Sequence, residues 1–309
     1  MELNWGVHDV FSLDEYGENI LGARHAIPKI LKLFSTYNIH ATWAIVGMLY
    51  CQNKKELSSI LDTLELPYEN HLFSPKRNLP FVGEDEQQDP YHFGKSFIGE
   101  IAASVNQEIG THTFSHYYCL EEGQKLVHFE KDLQAVLKME DSVTSLVFPR
   151  NQTNADYLQV CKANGITAYR GNEDSWIYRP YTNKTNTKTK RALRLMDAYF
   201  NITGHHTFSK KDIETEPILN IKSSRFLRPY SKTLKYLEGL RLRRIKNGLT
   251  DAARKKELYH LWWHPHNFGK HTEENLAFLE EILQHVAFLK EKYDFQSIHM
   301  REAVNYVQS

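Results

Sequence analysis

Glu108 to Tyr118 reads EIGTHTFSHYY, with His112 and His116 four residues apart just past a short apolar run. Two imidazoles at the end of a strand can hold a divalent metal once an oxygen ligand joins them. Spacing by itself carries little weight. Sixteen histidines in 309 residues give about one such pair by chance, and a second pair, His260 and His264, does occur. Position adds to the case. Thr111, Thr113 and Ser115 surround the pair with small hydroxyls suited to orienting a ligand imidazole.

Other apolar runs also end in polar clusters. Leu146–Gln152 (LVFPRNQ) closes with Arg150 and Asn151, and an arginine there can clamp a carboxylate through two parallel hydrogen bonds. Leu258–Phe268 (LYHLWWHPHNF) holds His264 between Trp262-Trp263 and Pro265, with His266 two residues on. A histidine so crowded has a fixed orientation and partial desolvation, the conditions for acid–base work. Glu173-Asp174-Ser175-Trp176 follows a further strand; Asp174 is a candidate partner for Arg150, and Trp176 offers a face on which a sugar ring could stack. The basic stretches Lys184–Arg194 and Arg241–Lys246 read as solvated faces, with contact to an anionic ligand as the alternative. There is no Gly-rich phosphate loop, GxSxG or CxxC.

These residues need elements to position them. Apolar spacing predicts helices over Arg24–Tyr37, Lys54–Leu64, Phe97–Val105, Lys125–Met139, Ala155–Ala163, Lys232–Lys256 and Glu273–Lys292. Short apolar or β-branched runs predict strands at Ala41–Val46, Glu108–Thr111, Val143–Phe148, Ile166–Tyr169, Ile218–Ile221, Leu258–Trp263 and Ser297–His299. Such alternation predicts parallel strands with outer helices in one α/β domain spanning 1–309, with loop insertions near 67–95 and 178–190. Several strand ends carrying polar clusters favour a barrel with its site at one rim.

Composition narrows the class further. With 41% hydrophobic residues the chain can build a sizeable core, and 38 basic against 38 acidic residues give no electrostatic case for nucleic acid. Three scattered cysteines, Cys51, Cys119 and Cys161, read as free thiols. The N-terminus lacks the basic start and apolar core of a secretory signal, and no run suffices for a membrane span, so a cytoplasmic protein is expected.

Taken in order, HTFSH, FPRNQ, NEDSW and WWHPHNF resemble the metal, arginine, Asp/Trp and final histidine motifs of NodB-type polysaccharide deacetylases. The resemblance spans nearly the whole chain and is most specific in HTFSH and WHPHN. It implies a distorted (β/α) barrel and metal-dependent hydrolysis of an acetamido group on a carbohydrate. The opening ELNWGVHD is similar to the tail of the first-strand motif in a bacterial subgroup that reads DFEL-x-WGV-x-D. By that likeness the first strand is incomplete and N-terminally truncated, and the leading Asp that would act as base is missing. The resemblance then assigns a divalent metal, zinc with cobalt or nickel as alternatives, to His112, His116 and Glu2. His264 would be the acid, with Arg150, Asp174 and the substitute base Asp9 completing the catalytic set. Trp176, Trp263, His266 and Asn151 would meet the carbohydrate. Two alternatives stay open: a non-catalytic carbohydrate- or metal-binding barrel, and a hydrolase of small non-sugar amides.

Overall fold

The computed structural model describes residues 1–179 and 187–309. Its strands are β1 (Ala41–Ile45), β2 (Gln107–Thr111), β3 (Ser145–Leu146), β4 (Ala168–Gly171), β5 (Leu219–Lys222), β6 (Arg225–Phe226) and β7 (Leu261–Trp262). Every ladder between them is parallel. One sheet runs β1-β2-β3-β4-β5 and a second pairs β6 with β7. The two sheets are continuous through the chain, because Ser223 N–H bonds Gly171 O (3.0 Å) and Ser224 N–H bonds His260 O (2.9 Å). The strands thus follow one another like staves. Among the described residues no ladder joins β7 to β1, so the expected barrel is not closed there by strand pairing.

What stands in that gap is informative. The Met1 ammonium donates to Ala44 O, and Val46 N–H donates to Met1 O (3.0 Å). This is one residue of parallel pairing opposite Ile45. Leu3, with φ 46°, then turns the chain into a 3₁₀ turn over Leu3–Gly6. Met1 is thus the one residue of this opening segment that pairs with β1. Beside it lies a cavity of about 700 Å³ bounded by Phe34, Trp43, Leu261, Ile282 and Val286.

The helices are α1 (Leu13–Tyr37), α2 (Lys54–Thr63), α3 (Lys95–Ala103), α4 (Leu126–Leu137), α5 (Ala155–Ala163), α6 (Lys188–Asp197), α7 (Glu238–Lys255), α8 (Thr272–Tyr293) and α9 (Met300–Gln308). α1 starts eleven residues before Arg24, at Leu13, because Ser12 and Glu15 form a capping box and the glycines at 17 and 22 are carried by packing. The single helix expected over Lys232–Lys256 is a 3₁₀ turn, Lys232–Leu237, followed by α7. The strand expected at Ser297–His299 does not form. Ser297 Oγ instead bonds both His40 N–H (3.0 Å) and His40 O (3.3 Å), doing with a side chain what a ladder would do. β6 was not visible as a strand in the polar run SSRFLRP, since only pairing with β7 makes it one. In the 67–95 segment two 3₁₀ turns, His71–Phe73 and Pro75–Phe81, lead into α3. Most of the insertion expected at 178–190 lies at 180–186, outside the described residues. Among the described residues no helix is long and apolar enough to cross a membrane.

Candidate metal centre

The carboxyl ends of β1, β2 and β7 share one mouth, and Glu2 sits at its centre. Its Oε2 lies 3.2 Å from His112 Nε2 and 3.3 Å from His116 Nε2, while Oε1 lies 2.8 Å from His264 Nδ1 and 3.7 Å from His266 Nδ1. The structure therefore brings His112, His116 and His264 together, as the strand ends suggested. It adds His266, expected on the sugar wall, to the ring of imidazoles facing Glu2. His264 and His266 are stacked, with centroids 5.0 Å apart. Three of the four rings are buried, whereas the His264 side chain is 33% exposed and is the one open to an incoming molecule.

Local structure explains why His112 and His116 face inward. His112 N–H bonds Ile45 O (2.8 Å), continuing the β1–β2 ladder past its end. The ring Nδ1 of His112 donates to Val147 O (2.6 Å), which fixes the tautomer and leaves the Nε2 lone pair toward Glu2. Thr113 (φ 63°) and His116 (φ 58°) take left-handed conformations that fold the turn back. Thr113 Oγ1 clasps it, donating to His112 O (2.6 Å) and accepting from Tyr117 N–H (2.7 Å). Beneath the turn, Asp132 of α4 is fully buried and accepts from Phe114 N–H (2.7 Å) and Ser115 N–H (3.1 Å).

Burial is the largest influence on the Glu2 carboxyl and acts to raise its pKa. The His264 charge and the bonds from His112, His116 and His264 outweigh it and hold the group well below its ordinary value. Burial drives His112 and His266 down to about 3, against a raising pull from Glu2, so both rings are neutral at pH 7. A carboxylate beside neutral imidazoles such as His112 and His266 is the kind of donor set that can hold a metal. Among the described residues two such groups of three include Glu2, one with His112 and His116 and one with His264 and His266, the ligand atoms of each lying within 4.8 Å of one another. The Nδ1 atoms of His116 and His266 are buried without a hydrogen-bond partner. For His266 that orphaned nitrogen faces Glu2, as a ligand atom would. Two nitrogens and a carboxylate oxygen fit zinc, cobalt or nickel.

The remaining expected residues fall around this centre in altered roles. Arg150 forms an ion pair with Asp9 and lies 3.4 Å from Glu121. Its guanidinium covers the Tyr118 ring at 4.2 Å, and that ring packs edge-on to His116 at 5.1 Å. Tyr118 OH also donates to Asp9 (3.3 Å), so Asp9 is held one side chain away from the metal residues. Asp174 and Trp176 are exposed. The buried acid of that segment is Glu173, beside Trp262 Nε1 (3.5 Å), with its carboxyl pushed up by burial. Trp263 packs against Phe34 (6.1 Å) and Phe268 (5.7 Å). Strand alternation puts Trp262 instead beside His264 (5.6 Å), with Arg170 over its ring at 3.9 Å. Asn151 is occupied, accepting from Arg170 (2.8 Å) and donating to Asn172 (2.7 Å). Sequence reasoning passed over Asp132, Glu173 and Arg170. Only Arg170, at a strand end like the others, carried a signal.

No family model matches the chain, and no curated protein matches it in sequence. Three solved chains match it in structure. One is the crystal structure of a "putative polysaccharide deacetylase from Mycobacterium smegmatis", 12% identical, with a TM-score of 0.55 over 93% of this chain and 78% of its own. At that identity the likeness concerns architecture alone: the chain has the α/β fold of that structure.

Proposed function

We propose that the protein is a metal-dependent hydrolase that removes acetyl groups from N-acetylated sugars of a polysaccharide or its precursor. The observation that carries this reading is Glu2 within reach of His112, His116 and His264 at one mouth. His112, His116 and Glu2 would hold a zinc-class ion, whose charge polarises an acyl carbonyl and makes water more acidic. Water adds to the acetamido carbonyl and the C–N bond breaks. The acyl group leaves as acetate, and a proton passes to the sugar nitrogen. His264, partly exposed and oriented through Nδ1 by Glu2, is positioned to hand over that proton. Asp9, steered by Arg150 and bonded by the Tyr118 hydroxyl whose ring packs on His116, would act as base. Trp262 and the exposed Trp176 supply aromatic faces for a sugar ring.

The test is acetate release from N-acetylated sugar oligomers by zinc- or cobalt-loaded protein. His112→Ala is expected to abolish metal uptake at the mouth and turnover together. His264→Ala is expected to retain metal and lose turnover about 10²–10⁴-fold. If both variants take up metal like the parent, the site is misassigned. One observation favours a second reading, a non-catalytic metal- and carbohydrate-binding barrel: the Asp9 carboxylate is ion-paired with Arg150. Metal and sugar binding without acetate release would select it.

A further inference from the structure

At the other end of β1, away from Glu2, a second set of ligand side chains converges. His40 immediately precedes β1, His299 caps α9, and Glu302 stands one turn into that helix. Their ligand atoms lie within 4.8 Å of one another. His40 Nδ1 is 2.8 Å from Glu302 Oε2, and His299 Nε2 is 3.6 Å from the same oxygen. All three side chains are partly buried, at 19%, 16% and 34% exposure. Five residues of strand separate this cluster from the Glu2 mouth, roughly 16 Å at the usual rise per residue.

A fourth group makes the arrangement more than an ion pair. Glu108, at the start of β2, is almost wholly buried, and its Oε2 lies 3.4 Å from His299 Nδ1. It is held rigidly by Thr42 Oγ1 (2.6 Å), Ser145 Oγ (2.6 Å) and Arg301 N–H (3.1 Å). A carboxylate that accepts Nδ1–H of a histidine leaves the Nε2 lone pair free for a metal, the usual way such ligands are oriented. His299 Nδ1 is also 3.2 Å from Glu302 N–H. The tautomer thus chooses between two states. With the proton on Nε2 the ring only caps the helix; with the proton on Nδ1, shared with Glu108, Nε2 becomes a ligand atom. Among the described residues the ion pairs of the two carboxylates are made by the two histidines and by Arg301, 3.9 Å from Glu108.

We propose that His40, His299 and Glu302 form a second divalent-cation site of the zinc class, structural in role, with Glu108 orienting His299. A cation there would pin α9 to the start of β1, two elements already tied by Met300 N–H to Thr42 Oγ1 (2.8 Å). The proposal does not depend on the hydrolase reading.

The experiment is zinc titration of the chelator-treated full chain, with cobalt absorption as a second readout. The parent is expected to take two equivalents, and the His112→Ala/His116→Ala variant one. In that background His40→Ala or Glu302→Gln should abolish the remaining equivalent. Glu108→Gln, which removes no ligand, should weaken it by about 10–100-fold. Circular dichroism confirms that each variant is folded. His40 lies outside any helix, so its variant separates loss of a ligand from any collapse of α9. The proposal is overturned if the double variant takes up no zinc, or if its residual zinc is indifferent to His40, Glu302 and Glu108. Loss of the first equivalent in the double variant reports separately on the mouth.

Discussion

Asp132 shows how much of the proposed metal turn is decided by a residue outside the candidate ligands. It is buried and receives the N–H groups of Phe114 and Ser115, two of the three residues between His112 and His116. Asp132→Ala leaves those donors unsatisfied, at a cost of about 1–3 kcal/mol. It should also weaken zinc binding at the mouth about tenfold or more, as loss of an orienting partner does. Urea unfolding and calorimetric titration check both; wild-type zinc affinity would remove Asp132 from the site. A second prediction concerns acid. His112 and His266 are lowered by burial to about 3, against about 6.5 unfolded. Between those values the unfolded chain binds more protons, so stability is lost as pH falls from about 6.5 toward 3. Glu2 acts in the same sense, its contribution being lost below the ordinary carboxylate range. Asp132, raised by burial to about 6, opposes them over the upper part of the window. Metal-free protein should therefore show Tm falling below about pH 6.5, and a flat Tm between pH 7 and 4.5 would contradict this.

At the scale of elements, the loop that carries His264 and His266 is held by backbone contact with α1. A Cβ on Gly269 would meet Asn19 O at 1.8 Å, and one on Gly22 would meet Gly269 O at 1.9 Å. Neither neighbour can retreat, since both are main chain. Gly269→Ala is expected to destabilise by about 1–3 kcal/mol or more and, by displacing the turn, to lower acetate release beyond any loss of folded protein. Gly99→Ala is the control: in α3, with nothing within 4 Å of its Cβ position, it should be neutral or stabilising by up to about 1 kcal/mol. Equal losses in the two variants would mean that the close approach is not what holds the loop.

At the scale of the molecule, the cavity beside β1 joins core and candidate site. It holds about 700 Å³ and is bounded by apolar side chains of α1, β1, β7 and α8 and also by Glu2, His112, Arg170, His260 and His264. Ala253 of α7 also borders it and is buried. In a filled core Ala253→Leu overpacks and costs about 1–3 kcal/mol. Beside a real void it adds buried methyl groups and should stabilise by about 1–2 kcal/mol. The sign of the change in urea midpoint decides between them.

The sequence determined the local units. α5 spans the residues its apolar spacing predicted, α2, α4 and α8 end within two residues of theirs, and the strands carrying His112 and His264 lie where apolar runs placed them. Those properties follow from periodicity and caps, which are fixed by near neighbours. Tertiary structure decided which of the polar strand ends came together. Stave order brought Glu2, His112, His116 and His264 to one mouth, turned His266 inward, gave Trp262 rather than Trp263 to the opening, and matched Arg150 with Asp9, 141 residues away. It also made β6 a strand and left Ser297–His299 without a ladder. The physical reason is one of range: periodicity reports which face a residue takes, while convergence depends on pairing and burial between segments far apart in the chain.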